Sequence, residues 1–71
     1  MKRFGEKVRL LRKREGLSQS TLGEKLEVAQ SFVARIENGR QKPSVDLMLK
    51  FSYLFNVPAD TLMKDELELQ D

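Results

Sequence analysis

The sequence contains no cysteine, no histidine and no tryptophan, and only two prolines. Without cysteine, neither a disulfide nor a thiolate metal site can hold a small domain together. Without histidine, zinc-finger chemistry and the usual general base are both missing. No apolar run approaches the length of a membrane span. The opening stretch, MKRFGEKVRLLRK, is basic but lacks the apolar segment of a signal peptide, so it reads as part of the fold. There is no Gly-rich phosphate loop and no paired-carboxylate site, which leaves an enzymatic reading weak. No catalytic residue, cofactor, metal or small-molecule effector is expected.

What remains is a chain of 71 residues, 39% of them apolar. That length suits one domain with a single small core, which must stabilise itself or borrow stability from a second subunit. The net charge of +2 conceals an asymmetry. Residues 1–42 hold 11 Lys/Arg against 5 Asp/Glu, whereas residues 43–71 hold 2 against 6. Mixed charge is ordinarily a solubility device, but segregation of basic residues onto one half suggests a polyanion partner.

Helical periodicity runs throughout, interrupted by breakers at regular intervals. A first helix is expected over about residues 3–15, with Phe4, Val8 and Leu11 on one face. Lys7, Arg9, Lys13 and Arg14 crowd the other; some of Lys2, Arg3, Lys7 and Arg9 are candidates to approach a polyanion backbone, and most read as a solvated face. Residues 18–26 and 30–38 form two short amphipathic segments back to back. Leu22 and Leu26 supply the apolar face of one, and Val33 and Ile36 that of the other, with Phe32 beside them. Ser18 is a plausible N-cap, and Asn38-Gly39 a plausible C-terminal stop. So tight a connection forces a steep crossing, and one helix of such a pair can offer its polar face to the DNA major groove. Pro43-Ser44 opens a fourth helix, whose Val45, Met48, Leu49, Phe51, Ser52 and Phe55 make a stripe broad enough for burial on more than one side. A short fifth helix over 59–64 follows Asn56-Val57-Pro58, with Leu62 and Met63 facing inward or toward a partner. Residues 1–64 are expected to be the domain. The acidic DELELQD at 65–71 is expected to be a disordered or dimer-associated tail.

Several residues in order carry a resemblance: Val8-Arg9 and Leu11-Arg12, then Gly16-Leu17-Ser18-Gln19, Leu22, Val28, Val33, Ile36-Glu37-Asn38-Gly39, Pro43-Ser44 and Val57. In this arrangement the chain resembles the phage Cro/repressor (Xre-like) helix-turn-helix family over residues 4–63. The resemblance implies an all-α, five-helix, lambda-repressor-like DNA-binding domain with the helix-turn-helix at its second and third helices. It also implies a double-stranded operator as partner, homodimerisation and a cytoplasmic, bacterial or phage-encoded protein bound to the nucleoid. Three positions depart from the pattern. Glu27 stands where the turn usually has glycine, Ala29 where the third helix usually has a Ser/Thr cap, and Gly23 where the second usually has alanine. Each departure costs on the order of 1 kcal/mol.

By the same resemblance Gln30, Ser31 and Arg35 meet base edges. Their chemistry suits that role, since Gln pairs bidentately with adenine and Arg with guanine. Phe32 reads as a packing residue at the corner of the two helices, with contact to a thymine methyl as the alternative. Ser18, Gln19, Asn38, Arg40 and Lys42 match phosphate-holding positions, which set register without reading sequence. Gln19 has a second possible task, bracing Gln30, and Ser18 contributes only if its hydroxyl is not committed to capping. Arg12 and Glu37 match a structural ion pair. Phe55, Pro58, Ala59 and Leu62 match a dimer interface, which would set two third helices about 34 Å apart on a pseudo-palindromic operator. The function that follows is a sequence-specific transcription regulator, most simply a repressor. The alternative is an antitoxin or adaptor that holds a protein partner through the leucine-bearing acidic tail.

Overall fold

A computed structural model describes residues 3–64. The acidic tail with Leu67 and Leu69, and Lys2 at the other end, lie outside the described residues. Five helices and no strand occur among those described: α1 (Phe4–Arg14), α2 (Gln19–Leu26), α3 (Gln30–Glu37), α4 (Val45–Phe55) and α5 (Ala59–Met63).

The boundaries follow from local chemistry. Ser18 Oγ accepts from the Thr21 backbone N–H at 3.0 Å to start α2, and Ser44 Oγ accepts from Leu47 N–H at 3.1 Å to start α4, each meeting an N–H that the helix itself leaves orphaned. Between α2 and α3, Glu27 takes the left-handed conformation (φ 61°, ψ 40°), and Ala29 sits in extended backbone at the α3 N-cap with no side-chain hydrogen bond. The turn therefore carries both expected costs. The third departure has a different meaning. A Cβ on Gly23 would lie 2.7 Å from the Val28 carbonyl oxygen, so glycine lets this turn fold back onto α2 more closely than alanine would allow. Ala29→Ser is expected to stabilise the domain by about 1 kcal/mol. That corresponds to a thermal midpoint some 4–8 °C higher, measurable by circular dichroism.

Twelve side chains from all five helices form one core. Its centre is Phe51, fully buried, with Phe4 edge-on at 5.4 Å between ring centroids and Phe55 parallel to it at 6.2 Å. Gly5 brings α1 against the end of α3, and a Cβ there would fall 2.6 Å from the Glu37 carbonyl oxygen and collide with that of Ile36. This approach fixes α1 relative to the last turn of α3.

Two expectations about burial are corrected and one is narrowed. Val45 and Leu49 on α4 are largely exposed, and Leu47, Met48, Phe51 and Phe55 form the inward face instead. Leu62 is 0% exposed and Phe55 is buried, both within their own chain. Leu62 thus takes the inward of its two expected orientations, and the interface matched to it and Phe55 is left little accessible surface on either residue. Lys7, expected on the solvated face, is 1% exposed. Its Nζ donates to the carbonyl oxygens of Thr61 (2.6 Å) and Lys64 (2.7 Å). An ammonium is favoured there because carbonyls at a helix C-terminus carry partial negative charge.

Candidate nucleic-acid interface

Val33 and Ile36 bury one side of α3 completely and so fix which residues face outward. Gln30 and Ser31 in the first turn and Arg35 one turn later are all exposed. The Arg35 guanidinium carbon lies 5.6 Å from the centroid of the Phe32 ring, within cation–π range. Phe32 is half-buried and packs against the core. It therefore restrains Arg35 from one turn away while holding the helix down.

At the opposite end of α3, the Glu37 carboxylate is wholly inaccessible to solvent (side chain 0% exposed). Arg12 of α1 donates to both of its oxygens, from Nε at 2.7 Å and from Nη2 at 3.1 Å, and its Nη1 reaches the Leu17 carbonyl at 2.9 Å. Gln19 Nε2, at the first residue of α2, donates to Oε1 at 3.2 Å, and Arg9 Nε approaches the same oxygen at 3.4 Å. Burial by itself pushes the Glu37 carboxyl up. The hydrogen bonds from Arg12, Gln19 and Arg9, together with the Arg12 charge, outweigh it and hold the group below its ordinary value. Three helices thus meet on one buried charge, which locks α1 and the start of α2 to the end of α3.

Two of the phosphate candidates, Gln19 and Asn38, touch this cluster. Gln19 donates one amide N–H to Glu37, which ties it to the frame and leaves its second N–H and its Oε1 for other partners. Asn38 accepts from Arg9 Nη2 through Oδ1 at 3.4 Å, which leaves its amide nitrogen as the donor end. Arg40 and Lys42 are exposed in the connection to α4. Ser18 is corrected: its hydroxyl accepts from Thr21 N–H and donates to Thr21 Oγ1 at 2.9 Å, so the side chain is spent on capping. Arg9, one of the α1 cations considered for a backbone contact, is set apart by its contacts with Glu37 and Asn38. It lies one position beyond Val8 and shares a rim of α1 with Arg12, three residues on, so helical spacing was the available signal.

Among the described residues, no cluster of metal-holding side chains occurs, and no helix is long and apolar enough to cross a membrane. Between α4 and the start of α5, a shallow groove is lined by Leu49, Ser52, Tyr53, Asn56, Val57 and Pro58, with Pro58 exposed and Ala59 half-buried next in sequence.

A family model described as helix-turn-helix matches residues 8–62. The transcriptional regulator SinR of Bacillus licheniformis is 39% identical over 68 residues, covering 92% of this chain and 61% of that protein. The chain thus spans about three fifths of the length of the curated relatives of this kind that it matches. The N-terminal DNA-binding domain of SinR from Bacillus subtilis superposes with a TM-score of 0.83 at 33% identity, covering 96% of this chain and all of that one. A structure of SinR in complex with DNA gives 0.77 at 35% identity, covering 86% and 98% of the two chains. This chain belongs to the Cro/repressor (Xre-like) helix-turn-helix family.

Proposed function

We propose that this protein is a sequence-specific, DNA-binding transcription regulator that occupies a pseudo-palindromic operator as a homodimer, most simply as a cytoplasmic repressor. One observation carries the reading: Gln30, Ser31 and Arg35 all lie exposed on the outer side of a helix whose inner side is pinned by Val33, Ile36 and the Glu37 cluster. Such a helix enters the major groove with its reading groups already arranged, and Arg35 comes to guanine restrained by Phe32. The amide groups of Gln19 and Asn38, with Arg40 and Lys42, are the donors for flanking phosphates. The similarity to SinR, solved with DNA, supports the same docking. The face offered for a second protomer is Pro58 and Ala59 with the neighbouring exposed Leu49 and Tyr53.

Selection of bound duplexes from a random pool tests this. A twofold-symmetric motif is expected, with half-sites about one helical turn apart. Arg35→Ala should cost about 1–3 kcal/mol on the selected site and relax preference at one base pair per half-site. A pool that yields no symmetric motif refutes the proposal.

A further inference from the structure

We propose that Arg9 is a DNA-backbone contact, its guanidinium taking a phosphodiester oxygen between Gln19 and Asn38; this rests on the DNA-binding reading above. Glu37 carries one negative charge, and Arg12 alone engages both of its oxygens. Arg9 adds a second cation, so the cluster is left with an excess of one positive charge. The carboxylate does not need it for satisfaction, because Gln19 already supplies a third donor at 3.2 Å. Both Arg9 contacts, to Glu37 and to Asn38, stand at 3.4 Å, beyond the usual span of N–H···O bonds.

The two arginines are also placed differently. The Arg12 side chain is 12% exposed, whereas that of Arg9 is 46% exposed. Arg12 is structural by burial, and Arg9 sits at the rim with only two of its five donors in long contacts. That rim lies where the interface converges. Arg9 shares the Glu37 oxygen with Gln19 on one side and touches the side chain of Asn38 on the other, just before the basic connection bearing Arg40 and Lys42. A planar guanidinium so placed matches the geometry of a phosphate, and its loose intramolecular contacts keep it oriented until one arrives. The interface therefore includes α1 as well as α2, α3 and the connection to α4.

The test uses the full chain, wild type against Arg9→Gln and Arg9→Lys, titrated by fluorescence anisotropy with a selected duplex and with a scrambled one over about 50–200 mM KCl. Arg9→Gln is expected to lower the slope of log affinity against log salt by about 1. It should weaken both duplexes equally, by about eightfold at 0.1 M salt if each phosphate contributes a slope of 0.9. Arg9→Lys should keep most of the slope. An unchanged slope, or a loss confined to the selected duplex, overturns the assignment. Should Arg9→Gln unfold, the wild-type chain decides through the NMR signal of the Arg9 Nε–H. A shift on adding duplex supports the contact; a shift with potassium phosphate but none with duplex overturns it. Wild type that binds neither duplex overturns the DNA-binding reading itself.

Discussion

Replacing Arg12 with methionine is expected to lower the free energy of unfolding by about 3–5 kcal/mol, the cost of leaving a buried charge without its partner. Small domains are stable by only about 5–15 kcal/mol, so the variant will stand close to unfolding at ambient temperature. Gln19 and Arg9 remain beside Glu37, but at 3.2 and 3.4 Å against the 2.7 Å of Arg12, and they place the loss toward the lower end. Urea titration at neutral pH measures it. A loss below 1 kcal/mol would mean that the pair behaves as an exposed surface bridge, against the complete burial of the Glu37 side chain. Arg12→Met combined with Glu37→Leu should recover most of the stability, since removing both charges removes the desolvation penalty with them.

The same pair predicts a pH dependence of definite sign. Glu37 is held below its ordinary value in the folded chain. Its contribution is therefore fully present above the pH at which the unfolded glutamate ionises, and is lost as pH falls through the lower folded value. In Arg12→Met, burial opposes ionisation with less to counter it, so acid neutralises the offending charge. The gap between wild type and variant should narrow on acidification, and a gap that widens would contradict the assigned balance.

Leu62→Ala is expected to cost about 2–5 kcal/mol, because a side chain with no solvent exposure leaves a cavity beneath α5. The loss should be the same at every protein concentration. A residue at an interface between protomers behaves otherwise, leaving the monomer intact and showing its cost only through a changed dimer equilibrium. Unfolding followed over a hundredfold range of dilution separates the two. Pro58→Arg at the exposed start of α5 is the contrasting variant, expected to weaken dimeric operator binding and spare the fold.

The helices were legible because their boundaries are written in short-range chemistry. Ser18 and Ser44 cap as their positions suggest, and Glu27 adopts the left-handed turn that the family resemblance implied for it. The outward set on α3 was legible for the same reason, since two strongly apolar residues three apart define its inner face. What escaped was burial decided by distant chain. Lys7 lies three residues after Phe4 and four before Leu11, which places it on the buried face by periodicity alone. Its charge argued for solvent only because the acceptors on α5 cannot be read locally. Leu62 took the inward of the two orientations open to it and Phe55 the burial its stripe implied, which leaves Pro58 and Ala59 as the accessible part of the matched interface. Val45 is apolar and 77% exposed, a reminder that an isolated exposed valine needs no partner. Arg9 was one of four cations in or just before α1 left open for a backbone contact, and none stood out until one buried carboxylate sorted them.

The Lys7 clamp has a consequence for how the molecule comes into being. Its acceptors lie 54 and 57 residues further along the chain, so during synthesis α1 exists long before its ammonium has anywhere to go. A nascent chain holding α1 to α3 already possesses every candidate base-reading residue, yet it has an unburied cation where α5 will dock and an open socket where Leu62 belongs. Closure of that long-range contact has to wait until residues 61–64 have been made. A chain cut short before Thr61 would expose apolar surface, so quality-control proteases meet such a fragment in the form most easily cleaved.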